Sequence, residues 1–219
     1  MRSTLLAIAL LPILSPTPAA GQDITGTWCI ASSETPDGGT YGGNVTVRRN
    51  GDCYTVDWEL DTGDRYSGVG LVLRGVAFAV AYRAGSADGY GVVFYAHDKE
   101  TGGFEGWWCQ PDGKSGRENL SGNTLTGTHT LTAGGSTGTV QISPFGTDNY
   151  QLAWRTSAGN YNGFGTSLGE ASGMVAAVWG NLDGTGAVLY SLVDLENGKM
   201  PGWWAAAVSG GQGRETLAR

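Results

Sequence analysis

Histidine is almost absent from this sequence, which contains only His97 and His129. The two stand far apart, and neither has a neighbour at the spacing that metal ligands require. No histidine lies beside a serine or cysteine in a pattern that indicates a nucleophilic triad, and P-loop and G-x-S-x-G motifs are also missing. The sequence therefore predicts no metal, no cofactor and no catalytic residue of these kinds.

Basic residues and long apolar runs are also scarce. Thirteen Lys and Arg residues face 20 Asp and Glu residues, so the surface should repel phosphate backbones and we expect no nucleic-acid partner. The apolar run from Leu5 to Leu14 is shorter than the roughly 20 residues of a transmembrane helix, and we expect no membrane span. It follows Arg2 and precedes small residues and prolines, which predicts a signal peptide over residues 1–21, cleaved near Gly21. The mature protein should be secreted or periplasmic.

Glycine is abundant, with 38 residues, and it punctuates runs of aromatic and β-branched residues. This composition, with no helical periodicity of useful length, predicts β-structure with many turns. Asp-Gly and Asn-Gly pairs supply the positive φ angles of tight hairpins, so consecutive strands should pair. The strands predicted for the first half lie near residues 24–32, 40–48, 53–60, 65–73, 76–83, 90–97, 103–110 and 115–121.

The second half of the chain repeats the first. Six motifs recur in the same order at offsets of 95 to 101 residues, which indicates two copies of one fold. The pairs are ITGTW and LTGTH, YTVDW and YQLAW, YSGVG and YNGFG, GVVFY and GAVLY, GWW and GWW, and GRENL and GRETL.

Eight antiparallel strands bring the last strand beside the first, and closing that seam removes both exposed edges. We therefore predict two tandem eight-stranded up-and-down β-barrels, formed by residues 22–121 and 122–219. The Gly-Thr-Trp strand should then pair with the GRENL strand. Exchange of strands between the copies would preserve every local pattern and remains open at this stage.

The doubled tryptophans must point to opposite faces of their strand, because side chains alternate along a strand. We assign Trp108 and Trp204 to the two cores and Trp107 and Trp203 to the outside. Two hypotheses explain the outward pair. It packs where the barrels touch, which we favour because two barrels on a short link must meet, or it forms a binding surface for a sugar, another flat ligand or a protein.

The succession DITGTW, YGGNVTV, YTVDW, GVVFY, G-x-W and G-x-E-x-L resembles a group of small exported bacterial proteins, some of which carry a fibronectin-binding label. More distantly, Trp28 and Arg117 resemble the lipocalin and avidin pattern, in which a tryptophan plugs one barrel end and a late arginine packs over it. Arg214 is the counterpart of Arg117. The second copy has His129 in place of Trp28, and we group His129 with the outward tryptophans as a candidate ligand-binding residue.

Glu118 and Glu215 are the carboxylates that recur in both copies. By alternation Glu118 shares a strand face with Leu120, and Glu215 shares one with Leu217. Each face points inward if its leucine does. A carboxylate-dependent hydrolase acting on carbohydrate would need two such groups in one cleft. We favour a structural role, in which each glutamate closes a barrel end through an ion pair or a hydrogen bond.

Cys29, Cys53 and Cys109 all belong to the first copy, and alternation places them on outer faces. An exported protein should oxidise a suitable pair, but these strands are not adjacent in a barrel built from one copy. Either the strand assignment is wrong, or Cys29 and Cys109 meet near a barrel end, or all three stay unpaired. At least one thiol is left over.

These observations predict an exported, non-enzymatic binding protein for an unknown small molecule, glycan or extracellular protein. The ligand would occupy a barrel mouth or the outward aromatic surface. A structural envelope or adhesion protein and a carboxylate-dependent hydrolase are the alternatives. A sixteen-stranded membrane barrel is disfavoured, because Asp57, Glu59 and Arg155 would interrupt its apolar band.

Overall fold

The computed structural model describes residues 23–85, 89–168, 173–207 and 210–219, so the predicted signal peptide lies outside the described residues. Within them, no helix is long and apolar enough to cross a membrane. The described chain forms sixteen strands and a 3-10 turn at Leu195–Asn197. The strands are β1 Gly26–Glu34, β2 Gly43–Asn50, β3 Cys53–Leu60, β4 Arg65–Leu73, β5 Ala77–Ala84, β6 Tyr90–His97, β7 Phe104–Cys109, β8 Ser115–Leu120, β9 Gly127–Ala133, β10 Ser136–Pro144, β11 Asn149–Thr156, β12 Gly159–Thr166, β13 Met174–Gly180, β14 Thr185–Ser191, β15 Lys199–Ala206 and β16 Gly213–Ala218.

The strands close into two eight-stranded antiparallel barrels, which confirms the predicted fold class. Barrel 1 consists of β1 to β5 and β14 to β16. Barrel 2 consists of β6 to β13. Most strands pair with their sequence neighbours, as the hairpin turns predict.

The division of the chain into barrels of residues 22–121 and 122–219 is wrong, because the repeats exchange three strands each. At the exchange, β5 pairs with β14 and β6 pairs with β13. The Gly-Thr-Trp strand β1 consequently pairs with β16, the GRETL strand, and the GRENL strand β8 pairs with β9. The two repeats present equivalent edges, so either copy can complete a barrel. Residues 121–124 connect two strands of barrel 2 rather than the two barrels.

Each barrel has its own core of inward side chains. Val56 and Trp58 are buried in barrel 1, and Leu152 and Trp154 are buried in barrel 2, as the alternation of their strands predicts. Trp204 packs against the core of barrel 1 and Trp108 against that of barrel 2, which confirms their inward assignment.

A third apolar cluster lies between the barrels and is built from outward side chains. Leu71 and Ala79 of barrel 1 and Phe94 and Val178 of barrel 2 belong to it. Strands β4, β5, β6 and β13 are therefore apolar on both faces, one toward a barrel core and one toward the other barrel. This interface holds the two barrels together by burial of apolar surface.

A disulfide joins Cys53 on β3 to Cys109 on β7, with their Cα atoms 5.9 Å apart, while Cys29 is exposed and unpaired. All three lie on outer faces, as predicted. Of the three alternatives, an incorrect strand assignment is the one that applies, whereas pairing of Cys29 with Cys109 and three unpaired thiols are both wrong. The reason is the strand exchange, which moves β7 into barrel 2. Cys53 and Cys109 then face each other across the interface between the barrels.

Trp28 closes one end of barrel 1, where it is almost fully buried and donates a hydrogen bond of 2.9 Å from Nε1 to the carbonyl of Ile24. The arginine over its ring is Arg219, at 3.9 Å from the ring centroid. The role assigned to Arg117 and Arg214 is wrong, because both are exposed and point outward. Alternation requires this, since each of them precedes an inward glutamate.

Candidate functional site: the mouth cavities of the two barrels

Three neighbouring strands of barrel 1 place Tyr190, Gly202 and Glu215 in one row. Tyr190 on β14 is paired with Gly202 on β15, which is paired in turn with Glu215 on β16. A Cβ atom on Gly202 would lie 2.4 Å from the Tyr190 ring, so the ring passes over the bare glycine. The Tyr190 hydroxyl thereby reaches across one strand and donates a hydrogen bond to Glu215.

Glu215 is the centre of a hydrogen-bonded cluster inside barrel 1, and only 3% of its surface is exposed. Its Oε1 atom also accepts a hydrogen bond of 3.3 Å from Nε1 of Trp58, and its Oε2 atom accepts one of 2.9 Å from the hydroxyl of Tyr41. Burial raises the pKa of the Glu215 carboxyl, and the hydrogen bonds from Tyr190, Tyr41 and Trp58 oppose that shift only in part.

The repeated Gly-Trp-Trp motif thus has a structural explanation. Gly202 makes room for the tyrosine of the preceding strand, and Trp204 points inward. A Cβ atom on Gly213 would lie 2.3 Å from the Trp204 ring, so the glycine of the GRETL motif makes room for the tryptophan. Trp204 and Gly213 are directly paired across β15 and β16. The two glycines fit the tyrosine and the tryptophan into the wall of the barrel.

A cavity of about 530 Å³ opens above this cluster at one end of barrel 1. We call it the mouth cavity of barrel 1. Glu215 lines its interior, two aspartates, Asp37 and Asp64, line its rim, and aromatic rings form much of its wall. The aromatic residues are Tyr41, Trp58, Tyr66, Tyr82 and Trp204.

Barrel 2 repeats the row of tyrosine, glycine and glutamate, with fewer hydrogen-bond donors around the carboxyl. Tyr95, Gly106 and Glu118 form the equivalent row across β6, β7 and β8, and the Tyr95 hydroxyl donates a hydrogen bond to Glu118. Trp154 donates a hydrogen bond of 2.8 Å from Nε1 to the Tyr95 hydroxyl. Burial raises the pKa of the Glu118 carboxyl. The cavity above it, the mouth cavity of barrel 2, measures about 360 Å³ and includes Trp108.

His129 lies in barrel 2 at the position that Trp28 occupies in barrel 1. It is buried, and its two ring nitrogens lie 2.6 Å and 3.0 Å from the carbonyl oxygens of Ser121 and Leu125. It is not among the residues that line the mouth cavity of barrel 2. The structure therefore places His129 where it fills a barrel end and gives no contact that connects it with a ligand.

The outward tryptophans differ from each other. Trp107 packs against the apolar cluster between the barrels, and the Arg74 guanidinium lies 5.9 Å from its ring centroid. This is the location that the packing hypothesis predicts. Trp203 is half-buried on the outer face of β15. Neither tryptophan lines a mouth cavity.

Glu118 and Glu215 lie in different barrels, so these two carboxyls do not share a cleft as a hydrolase pair would. Sequence reasoning did place both on an inward face. It did not identify the groups that bond them, above all Tyr190 and Tyr95. A usable signal was present, because these tyrosines end the repeated GVVFY and GAVLY motifs and lie opposite the glycine of each Gly-Trp-Trp motif.

Within the described residues, no group of three or more histidine, cysteine or acidic side chains is arranged to hold a metal ion. Comparison of the chain with protein-family models, with curated proteins and with solved structures finds no match.

Proposed function

We propose that this protein is an exported, non-enzymatic binding protein whose small-molecule ligand occupies the mouth cavity of barrel 1. The observation that carries the proposal is an open, aromatic cavity of about 530 Å³ with a buried, hydrogen-bonded carboxyl in its interior. Small-molecule sites in proteins are concave, mostly apolar and equipped with a few fixed polar groups, and they occur in the mouths of β-barrels.

The polar groups of this cavity are fixed before any ligand arrives. Glu215 is oriented by Tyr41, Tyr190 and Trp58. Tyr41 is itself held by a hydrogen bond of 2.7 Å between its backbone N–H and Oγ of Ser33. A site whose donors and acceptors are already ordered loses less conformational entropy on binding. This favours recognition over a purely structural role for the cluster.

One observation favours the mouth cavity over the outward aromatic surface, and a second supports export. Trp107 contacts the apolar cluster between the barrels, so part of its ring is unavailable to a ligand. The Cys53–Cys109 disulfide is compatible with an oxidising compartment, as a signal peptide would require.

The proposal is tested by binding measurements on the oxidised mature protein. The probes are matched amines, alcohols and carboxylates on aromatic bodies of increasing size. Tryptophan fluorescence and calorimetry measure their binding. Ala84→Trp places a large ring at the rim of the mouth cavity of barrel 1. Ala158→Trp does the same at barrel 2, since both alanines are exposed and line their cavities. We expect saturable binding that Ala84→Trp abolishes and Ala158→Trp preserves.

A Trp107→Ala, Trp203→Ala double variant distinguishes the surface hypothesis from the cavity. We expect its affinity to equal that of the parent protein. If the double variant loses binding while Ala84→Trp retains it, the outward surface is the site. If no probe binds at all, the protein has no small-molecule site of this kind, and the structural alternative is supported.

A further inference from the structure

Among the described residues, the charged side chains that line the mouth cavity of barrel 1 are all acidic. Glu215 lies in the interior, and Asp37 and Asp64 lie at the rim. Among the described residues that line this cavity there is no lysine, arginine or histidine. A hydrogen bond from the Thr35 hydroxyl to Asp37 lowers the pKa of that carboxyl, so Asp37 is ionised at neutral pH. The cavity therefore attracts positive charge and repels anions.

Aromatic rings surround the same space. Tyr66 and Tyr82 pack edge to face with ring centroids 5.7 Å apart, and Trp58 lies 6.1 Å from Tyr82. Across the opening, Tyr41 and Trp204 pack edge to face at 6.3 Å. The faces of such rings carry partial negative charge and attract ammonium groups, most strongly where water is excluded.

The mouth cavity of barrel 2 provides an internal comparison. It has Glu118 and aromatic walls, but its rim residues are neutral, among them Ser136, Thr137 and Ser157. It is also smaller, at about 360 Å³ against about 530 Å³. The acidic rim and the tyrosine that contacts the carboxyl from the opposite side, Tyr41, belong to barrel 1. The two barrels share a framework and differ in the features that recognise charge.

We infer that the ligand of barrel 1 is an organic cation, with a protonated or quaternary amine held by Glu215 and the aromatic rings and with an apolar body in the cavity. This inference rests on the proposed function, because it names the chemical class of ligand for the same site. Aromatic walls, one buried carboxyl and an acidic rim provide the groups that attract such an ion. They leave a carboxylate or phosphate ligand without a cationic partner.

Binding of the cation should displace a proton. Burial raises the pKa of Glu215, and the groups facing it are the phenols of Tyr41, Tyr82 and Tyr190, whose own pKa values burial raises and whose hydroxyls stay neutral. A cation beside Glu215 favours the carboxylate, so the carboxyl releases its proton as the cation enters and the charge of the interior is balanced. Affinity therefore rises as pH rises through the pKa of Glu215.

The test uses phenethylamine, phenethyl alcohol and phenylacetate, which share a ring and a two-carbon arm and differ in charge, together with the larger members of the matched series. Calorimetry on the oxidised protein gives each affinity between about pH 5 and pH 8, and buffers of different ionisation enthalpy give the number of protons released. We expect the amine of the best-fitting size to bind at least about tenfold more tightly than its alcohol, the carboxylate to be weakest, and protons to be released.

Variants assign the effect to the cavity. Glu215→Gln should remove the charge preference and the proton release, and Glu118→Gln should leave both unchanged. Equal or tighter binding of the alcohol overturns the cation inference while the proposed binding function stands. Amine binding that survives both Glu215→Gln and Ala84→Trp is attraction to the acidic surface alone and also overturns it. Absence of binding by every member of the series overturns the proposed function itself.

Discussion

The hydroxyl of Tyr41 donates a hydrogen bond to Glu215 from the side of the carboxyl opposite Tyr190, although 174 residues separate the two in sequence. Tyr41 lies between β1 and β2, in a segment that is tied to β1 by Ser33 through both the backbone N–H and the carbonyl of Tyr41. Glu118, the counterpart in barrel 2, has no donor equivalent to Tyr41 within the described residues. The sites derive from one repeat unit, and the β1–β2 connection has made them different.

Glu215 should make the stability of the protein depend on pH with an unusual sign. Because the pKa of the buried carboxyl is raised, the native state keeps a proton that the unfolded chain has already released. The contribution of Glu215 to the free energy of unfolding is fully present below its ordinary pKa of 4.5. It decreases as pH rises toward the raised value, by up to ~1.4 kcal/mol per pH unit.

Thermal or denaturant unfolding of the parent protein and Glu215→Gln across this interval measures the effect. We expect the difference in stability between the two to shift in favour of the glutamine variant as pH rises. Glu196→Gln, at an exposed position, is the control and should run parallel to the parent. A parallel curve for Glu215→Gln as well would mean that the carboxyl has the same pKa in the native and the unfolded chain, which contradicts the raised pKa.

Gly202→Ala should disrupt the row that carries the site. Its Cβ atom would lie 2.4 Å from the Tyr190 ring, so the ring must move away from Glu215. We expect destabilisation by about 1–3 kcal/mol, the usual effect of overpacking a filled core. Ligand affinity in barrel 1 should fall as well.

Gly106→Ala is the matched control, because its Cβ atom would meet the Tyr95 ring at 2.7 Å in barrel 2. It should lower the unfolding free energy while leaving binding by barrel 1 intact. Equal loss of binding in both variants would show that the two barrels do not act independently.

The disulfide between the barrels should be the main covalent contribution to stability. Chain entropy for a sequence separation of 56 residues predicts a loss of about 4 kcal/mol when it is removed. A Cys53→Ala, Cys109→Ala variant should therefore show a lower denaturation midpoint than the parent, and reductant should not lower it further. Cys29→Ala, at the exposed unpaired thiol, should leave the midpoint unchanged. Equal stability of the oxidised and reduced parent would contradict the expected contribution.

Barrel 2 should fold when residues 89–181 are produced alone, because all eight of its strands lie within that segment. Its outer apolar surface would be exposed, so we expect a cooperative thermal transition together with self-association. Residues 23–85, which hold only five strands of barrel 1, are the control and should show no such transition. The measurements are circular dichroism and analytical ultracentrifugation. A non-cooperative fragment 89–181 would mean that the barrels depend on each other for folding.

The barrels and most strand bounds could be predicted because the signals are local. Alternation placed Trp58 and Trp154 inside, and Asp-Gly turns located the hairpins. The choice between β6 and β14 as the partner of β5 could not be predicted, since the two strands are copies with the same pattern. The disulfide depends on that choice and was missed with it.

A signal for the interface was nevertheless present in the sequence. Several strands read as continuous apolar runs rather than alternating ones, for example LVL within β4, AFAVA in β5 and VAAV in β13. Such runs are typical of strands that are buried on both faces.

The site was predictable only in part. Glu215 follows from alternation, whereas the positions of Tyr41 and Arg219 depend on irregular segments that have no period.

In sequence, all strands of barrel 2 lie between the two groups of strands that form barrel 1, and this order has a consequence for the timing of assembly. In a chain made from its amino end, β1 to β5 are present without the strands that complete barrel 1 while the whole of β6 to β13 is still to come. Barrel 2 can close as soon as residue 180 is available, whereas barrel 1 must wait for β16. Glu215 arrives on that last strand, so the carboxyl that defines the proposed site is added when everything around it has been synthesised. Only molecules that extend through β16 acquire it, and chains that stop between β13 and β16 carry a finished barrel 2 and no site in barrel 1.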